Sequence, residues 1–189
     1  MVFDNLSIQN VISTCDLKQS INIADFNKYE HLSSDLKLYN CGYIKNEFMQ
    51  GRVTVFANGK MISAGTKSPE QAENELKIAS RILQIHNLSN TIKIISQVRN
   101  IVARFNLGKK LPIEKLARTL PKSMYEPEQF PGLIFRMQRS CVALLFASGK
   151  GVLVGSKSID ELNTSFFELK QCLNNYYPEK LLLETRIPT

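Results

Sequence analysis

Phe56-Ala57-Asn58-Gly59-Lys60-Met61-Ile62-Ser63-Ala64-Gly65-Thr66-Lys67-Ser68 returns ninety residues later as Phe146-Ala147-Ser148-Gly149-Lys150-Gly151-Val152-Leu153-Val154-Gly155-Ser156-Lys157-Ser158. Seven of the thirteen positions are identical, and neither copy is low in complexity. Other pairs keep the same offset: Asn10 with Asn100, Ile23 with Ile113, Phe26 with Leu116, and Gly42 with Gly132. A fixed period over most of a chain means that one fold unit is used twice. Two copies make a pseudo-two-fold body, because a solenoid needs at least three. The repeat predicts a first copy over residues 1–90, a second over 91–177 and a C-terminal tail over 178–189.

Working outward from the repeated stretch, Asn58-Gly59 and Ser148-Gly149 separate two alternating runs and read as hairpin turns. Ser68-Pro69-Glu70-Gln71 and Ser158-Ile159-Asp160-Glu161 have the capping-box form, so a long helix follows each hairpin. The stripes Ala72, Leu76, Ala79, Leu83 and Leu162, Phe166, Leu169, Leu173 read as core faces. Each copy opens with a β-branched strand, Ile8–Cys15 or Val98–Phe105. A short helix follows, Asn22–Glu30 or Pro112–Leu120. Further strands are expected at Leu36–Tyr39, Tyr43–Glu47, Arg52–Ala57 and Lys60–Gly65. Their counterparts are Met124–Glu126, Leu133–Met137, Cys141–Ala147 and Lys150–Gly155. The fold class is thus α+β, with antiparallel hairpins and two helices per copy.

Side chains alternate between the faces of a strand. Val53 and Val55 take one face, and Arg52, Thr54 and Phe56 take the other. Ala143 and Leu145 likewise oppose Val142, Leu144 and Phe146. The strands are therefore apolar on both faces, although two helices can cover only one. A second sheet or a dimer could bury the remainder. Alternatively the face is open and edged by Lys60, Lys67, Lys150 and Lys157, which marks a binding surface.

Composition narrows the function. The chain of 189 residues is 43% hydrophobic and 22% charged, as in an ordinary globular protein. No apolar run reaches membrane-spanning length, and Met1–Asn10 lacks the pattern of a signal peptide. Cys15, Cys41, Cys141 and Cys172 are widely spaced and read as reduced thiols, and His31 and His86 have no companions at metal-ligand spacing. No phosphate-binding glycine loop, nucleophile–histidine arrangement or metal cluster points to an enzyme, and no cofactor or small-molecule substrate is expected. The net charge of +7 is uneven: residues 1–90 carry nine Lys/Arg and nine Asp/Glu, residues 91–189 fifteen and eight. A basic half suggests a polyanionic partner or simply solubilising charge.

Three blocks carry a family resemblance: Asn100-Ile101-Val102-Ala103, Tyr125-Glu126-Pro127-Glu128-Gln129-Phe130-Pro131-Gly132-Leu133-Ile134-Phe135-Arg136-Met137, and Phe146-Ala147-Ser148-Gly149-Lys150. In order, and doubled by the repeat, they resemble the TATA-box-binding protein family over roughly residues 7–177. The absence of a long amino-terminal extension is similar to the short archaeal form or a bare core. The resemblance implies a saddle-shaped, ten-stranded antiparallel sheet with four helices on its convex face. It also implies a general transcription factor whose concave face binds and bends A/T-rich double-stranded promoter DNA in the minor groove. That factor recruits a B-type initiation factor and, indirectly, RNA polymerase. Its place is the cytoplasm or nucleoid of an archaeon, or the nucleus of a eukaryote.

Residue by residue, the resemblance implies that Asn10 and Asn100 donate to base acceptors and that Ile12, Ile62, Val102 and Val152 pack on the groove floor. It implies wedges at Phe130 and Phe146, with Phe56 at the other end, and groove contact by Leu144 beside Phe146. Lys60, Lys67, Arg136, Lys150 and Lys157 match positions near phosphates, and Glu126 and Glu128 match positions that engage the B-type factor. The first copy departs from the pattern over Asp35–Asn46. At the constant offset Asn40 falls where the second wedge belongs, Asn46 opposite Arg136 and Thr54 opposite Leu144, while Tyr39 and Tyr43 are both candidate substitutes. Ala64 and Val154 stand where the family commonly has threonine. The alternative is a related regulator that acts mainly through protein partners and binds DNA weakly.

Overall fold

The computed structural model describes residues 5–91, 93–137 and 141–176. The first repeat runs β1 (Leu6–Asp16), a 3-10 helix (Ile23–Lys28), β2 (Leu32–Asp35), β3 (Cys41–Ile44), β4 (Arg52–Phe56), β5 (Lys60–Thr66) and α1 (Pro69–Ile85). The second runs β6 (Gln97–Asn106), α2 (Ile113–Thr119), β7 (Ser123–Met124), β8 (Leu133–Arg136), β9 (Val142–Leu145), β10 (Lys150–Ser156) and α3 (Ile159–Tyr176). The strands form a ten-stranded antiparallel sheet in the order β2-β3-β4-β5-β1-β6-β10-β9-β8-β7. The chain divides into two compact units, Ile8–Ala103 and Met1–Ser7 with Arg104–Thr189.

The repeated stretch folds as its sequence requires. Gly59 and Gly149 both have φ of 83°, and each donates its N–H to the carbonyl of the phenylalanine three residues earlier, at 2.9 Å. A side chain at either glycine would also collide with backbone, at 2.1 Å from the Gln19 carbonyl or 1.8 Å from that of Lys109. Ser68 Oγ accepts from Gln71 N at 3.1 Å, and Gln71 Oε1 accepts from Lys67 N at 3.0 Å. Ser158 and Glu161 repeat both bonds, at 3.0 and 2.7 Å. These caps satisfy amides at the helix starts that have no partner within the helix.

The expected helix stripes are buried: Ala72, Leu76, Ala79 and Leu83 of α1, and Leu162, Phe166, Leu169 and Leu173 of α3. Against them lie the alternate strand residues Val53, Val55, Met61, Ala143, Leu145 and Leu153, all fully buried. Their neighbours Thr54, Phe56, Ile62, Leu144, Phe146 and Val152 are half-buried on the face that the helices leave uncovered. One helix-covered face and one helix-free face are thus present in each repeat.

Four expectations change in the first repeat, one of them the strand expected at Tyr43–Glu47, which lies at Cys41–Ile44. Its short helix is 3-10 and spans Ile23–Lys28, within the expected Asn22–Glu30. The expected strand at Leu36–Tyr39 is instead a turn, and the strand lies earlier, at Leu32–Asp35. The offset also does not stay at ninety. Gly42 pairs with Val55, whereas Leu133 pairs with Leu145, so β3 and β8 correspond at an offset of 91. Backbone bonds agree: Lys45 N donates to His31 O as Arg136 N does to Lys122 O, at 3.1 and 3.2 Å. The 3-10 helix, more tightly wound than α2, takes up the missing residue. The β3–β4 connection returns it, because Val53 and Ala143 again correspond at ninety.

Candidate nucleic-acid interface

In the unit Ile8–Ala103, the helix-free face presents Asn10, Ile12 and Thr14 from β1, Phe56 from β4 and Ile62 from β5, all half-buried. Asn100 and Val102 of β6 are half-buried as well. Asn10 Oδ1 accepts the Gly65 N–H at 2.8 Å, which fixes the amide so that its Nδ2 donors point away from that bond. The backbone bond is thus present at this side chain, and it uses the oxygen and not the Nδ2 donors. Lys60 and Lys67 are exposed at the face's margin. Around Phe56 and Ile62 lies a depression that Lys18, Lys60, Lys93 and Arg99 also line. Asp16 lines it too, and hydrogen bonds from the Lys18 backbone and ammonium hold its carboxyl below the usual range, helped by the charge of Lys60. Burial, together with the charge of Asp16, pushes the neighbouring Cys15 thiol up to about 11.

In the unit of Met1–Ser7 with Arg104–Thr189, Leu144, Phe146 and Val152 are half-buried on the helix-free face, and Arg136, Lys150 and Lys157 are exposed. Phe130 packs edge-on against Phe146, with ring centroids 5.8 Å apart. Gly132 makes this possible: a Cβ there would lie 2.7 Å from the Phe130 ring and 3.0 Å from that of Phe146. Glu126 and Glu128 are exposed on the loop before Phe130, and the Glu126 carbonyl accepts from Gln129 N and Phe130 N at 2.9 Å each.

The family model described as "Transcription factor TFIID (or TATA-binding protein, TBP)" matches residues 5–86 and 95–176. The chain belongs to the TATA-binding protein family. It is 42% identical over 170 residues to the TATA-box-binding protein of Cenarchaeum symbiosum, covering 89% of this chain and 93% of the relative. It is 33% identical over 160 residues to that of Sulfolobus acidocaldarius, covering 84% of this chain and 81% of the relative. The solved structure described as Methanococcus jannaschii TBP shares the fold, with a TM-score of 0.81 at 24% identity, covering 90% of this chain and 99% of that one.

TATA-binding proteins are transcription factors and not an enzyme family, and no helix among the described residues is long and apolar enough to cross a membrane. Within this TATA-binding-family fold, the ladder register corrects two assignments made at constant offset. Tyr39, not Asn40, occupies the position of Phe130, two residues before Cys41, which pairs with Phe56. Lys45, not Asn46, occupies that of Arg136, and its ammonium is spent on the carbonyls of Met49, Gln50 and Gly51 at 2.5, 2.8 and 2.6 Å. Tyr43 pairs with Thr54 as Ile134 does with Leu144, and it lies under the Arg52 guanidinium, 4.1 Å from the ring centre. Of the two tyrosines, Tyr39 is the counterpart of the missing phenylalanine. It is 64% exposed, and Cys41, 2% exposed, fills the space that Gly132 leaves empty for Phe130. Sequence reasoning also passed over Lys93, Arg99 and Arg104, because they lie outside the blocks that carry the resemblance.

Proposed function

We propose that the chain binds A/T-rich promoter DNA in the minor groove through the helix-free face of its sheet, bends it, and recruits a B-type initiation factor, and through that factor RNA polymerase. The observation that carries this reading is the repeated face itself. In a TATA-binding family member it offers half-exposed aliphatic side chains and an oriented amide, ringed by lysines. Minor-groove A·T pairs present acceptors only, so apolar contact with a few donors matches them. Phe130 and Phe146 act as the wedge at one end. Inserting them costs a few kcal/mol per unstacked step, returned by wrapping, a magnitude for which the TATA-binding proteins are themselves the type example. Glu126 and Glu128 make poor phosphate partners and serve the protein partner.

A second reading, a regulator with relaxed DNA binding that works through partners, is favoured by the first repeat's unpaired Tyr39 and by the ammonium of Lys45 being held by its own loop. One experiment separates them: energy transfer across a promoter duplex, with and without the B-type factor, for the wild type and the Glu126→Gln/Glu128→Gln variant. The first reading expects a bend without the factor, an unchanged bend in the variant, and loss of the ternary complex only in the variant. A bend that requires the factor supports the regulator.

A further inference from the structure

We propose that Arg99 and Arg104 are base-reading residues, each placing a guanidinium beside the aliphatic floor residue of its own half and requiring an A·T pair there. The inference rests on the reading of the helix-free face as the DNA surface and adds specificity to it.

In the unit Ile8–Ala103, Thr14 pairs directly across the ladder with Ile62. Arg99 Nε donates to Thr14 Oγ1 at 2.9 Å, which brings the guanidinium to the side chain that stands opposite Ile62. Both residues line the depression that contains Phe56 and Ile62. In the other unit, the repeat counterpart of Thr14 is Arg104 itself, and that of Ile62 is Val152. Arg104 is exposed and lines one depression with Phe146, Lys150 and Val152, and no carboxylate is among the described residues that line it. By two different routes, each half thus has a guanidinium next to the side chain proposed to touch the groove floor. Lys60 and Lys150, in contrast, begin their strands beside the hairpin turns, at the margin of the face where a phosphate backbone would run.

A guanidinium has five N–H donors and no acceptor. An A·T pair offers only acceptors in the minor groove, whereas G·C adds the guanine N2 donor. A guanidinium at the floor is therefore satisfied by A·T and opposed by G·C, where a hydrocarbon would discriminate mainly by shape. Arginine is also less strongly hydrated than lysine, which eases its entry into a groove lined by sugars.

The test is binding-site selection with the full chain, comparing wild type with Arg99→Gln and Arg104→Gln, and with Val152→Glu as a control for the face. Circular dichroism melting checks folding of each variant. The expected result is that each glutamine variant loses discrimination between A·T and G·C by roughly tenfold at one or two positions, different for the two variants, with other positions unchanged. A uniform loss of affinity across all sequences would make these arginines phosphate contacts and overturn the inference. So would no change, if Val152→Glu abolishes binding. Normal binding by a folded Val152→Glu variant would instead sink the reading of the face, and this inference with it.

Discussion

Gly132 and Cys41 occupy the same ladder position in the two repeats, and the difference of one side chain decides whether an aromatic pair can form. A Cβ at Gly132 would meet the Phe130 ring at 2.7 Å, so glycine is what lets Phe130 fold onto Phe146. Cys41 is buried opposite Phe56, and Tyr39 stands 64% exposed. Tight packing leaves no room for both a thiol and a ring. Cys41→Gly is therefore expected to let Tyr39 pack over Phe56, and to raise the unstacking of bound DNA at the first-repeat end, read by a fluorescent base analogue at that step. Gly132→Ala should lower the signal at the other end. Equal signals in wild type, unaffected by Cys41→Gly, would show that Phe56 alone suffices. The aromatic residues were legible in the sequence. So was the pair of Phe130 with Phe146, but not the first-repeat counterpart of Phe130, because a one-residue shift in register leaves no local trace: Asn40 and Tyr39 are adjacent, and only the strand ladder tells which one stands at the wedge position.

At the scale of elements, α1 is fixed to the sheet by a group that an apolar-stripe reading places outside. Glu75 is buried; Oε1 accepts from Gly51 N at 2.6 Å and Oε2 from Ser63 Oγ at 3.1 Å. The carboxylate thereby ties α1 to β5 and to the β3–β4 connection, where Gly65 approaches Gly51 so closely that a Cβ would lie 3.0 Å from its Cα. The second repeat fills the same place with neutral groups: Ser165 Oγ donates to Cys141 Sγ at 3.1 Å, and Ser156 Oγ lies 3.2 Å from that sulfur. Glu75→Ala strands the Gly51 N–H in the interior, and the expected cost is about 1–3 kcal/mol in urea unfolding. Glu75→Gln keeps an acceptor for Gly51 and should lose less. Equal losses in the two variants would assign the effect to packing instead of the hydrogen bond. Helix starts and hairpins were readable because capping boxes and Asn-Gly or Ser-Gly turns act through neighbouring residues. The place of the first short helix was readable too, but its 3-10 type was not, since six residues of 3-10 and seven of α-helix differ by one bond pattern that propensity does not resolve.

For the whole molecule, the repeat boundary and the boundary of the compact units differ, and charge follows the second. Counted by sequence halves, the entire positive excess falls in residues 91–189. Lys93 and Arg99, however, belong to the unit Ile8–Ala103, and with Lys18 and Lys60 they line one depression on its helix-free face. Among the described residues that line it, Asp16 alone opposes them, and hydrogen bonds from Lys18 hold its carboxyl below the usual range. The asymmetry seen in the linear count is therefore largely removed by folding. Each neutralised phosphate contributes a slope of about −0.9 to the dependence of log affinity on log salt. If Lys60 and Lys67 meet phosphates as Lys150 and Lys157 do, the paired variants Lys60→Ala/Lys67→Ala and Lys150→Ala/Lys157→Ala should each reduce the slope by nearly two. The losses should be similar in size and uniform across sequences. A first-repeat pair that leaves the slope unchanged while the second-repeat pair lowers it would mean that the cations around Phe56 and Ile62 face solvent in the complex. The DNA would then be gripped from one end, as the sequence count alone suggests.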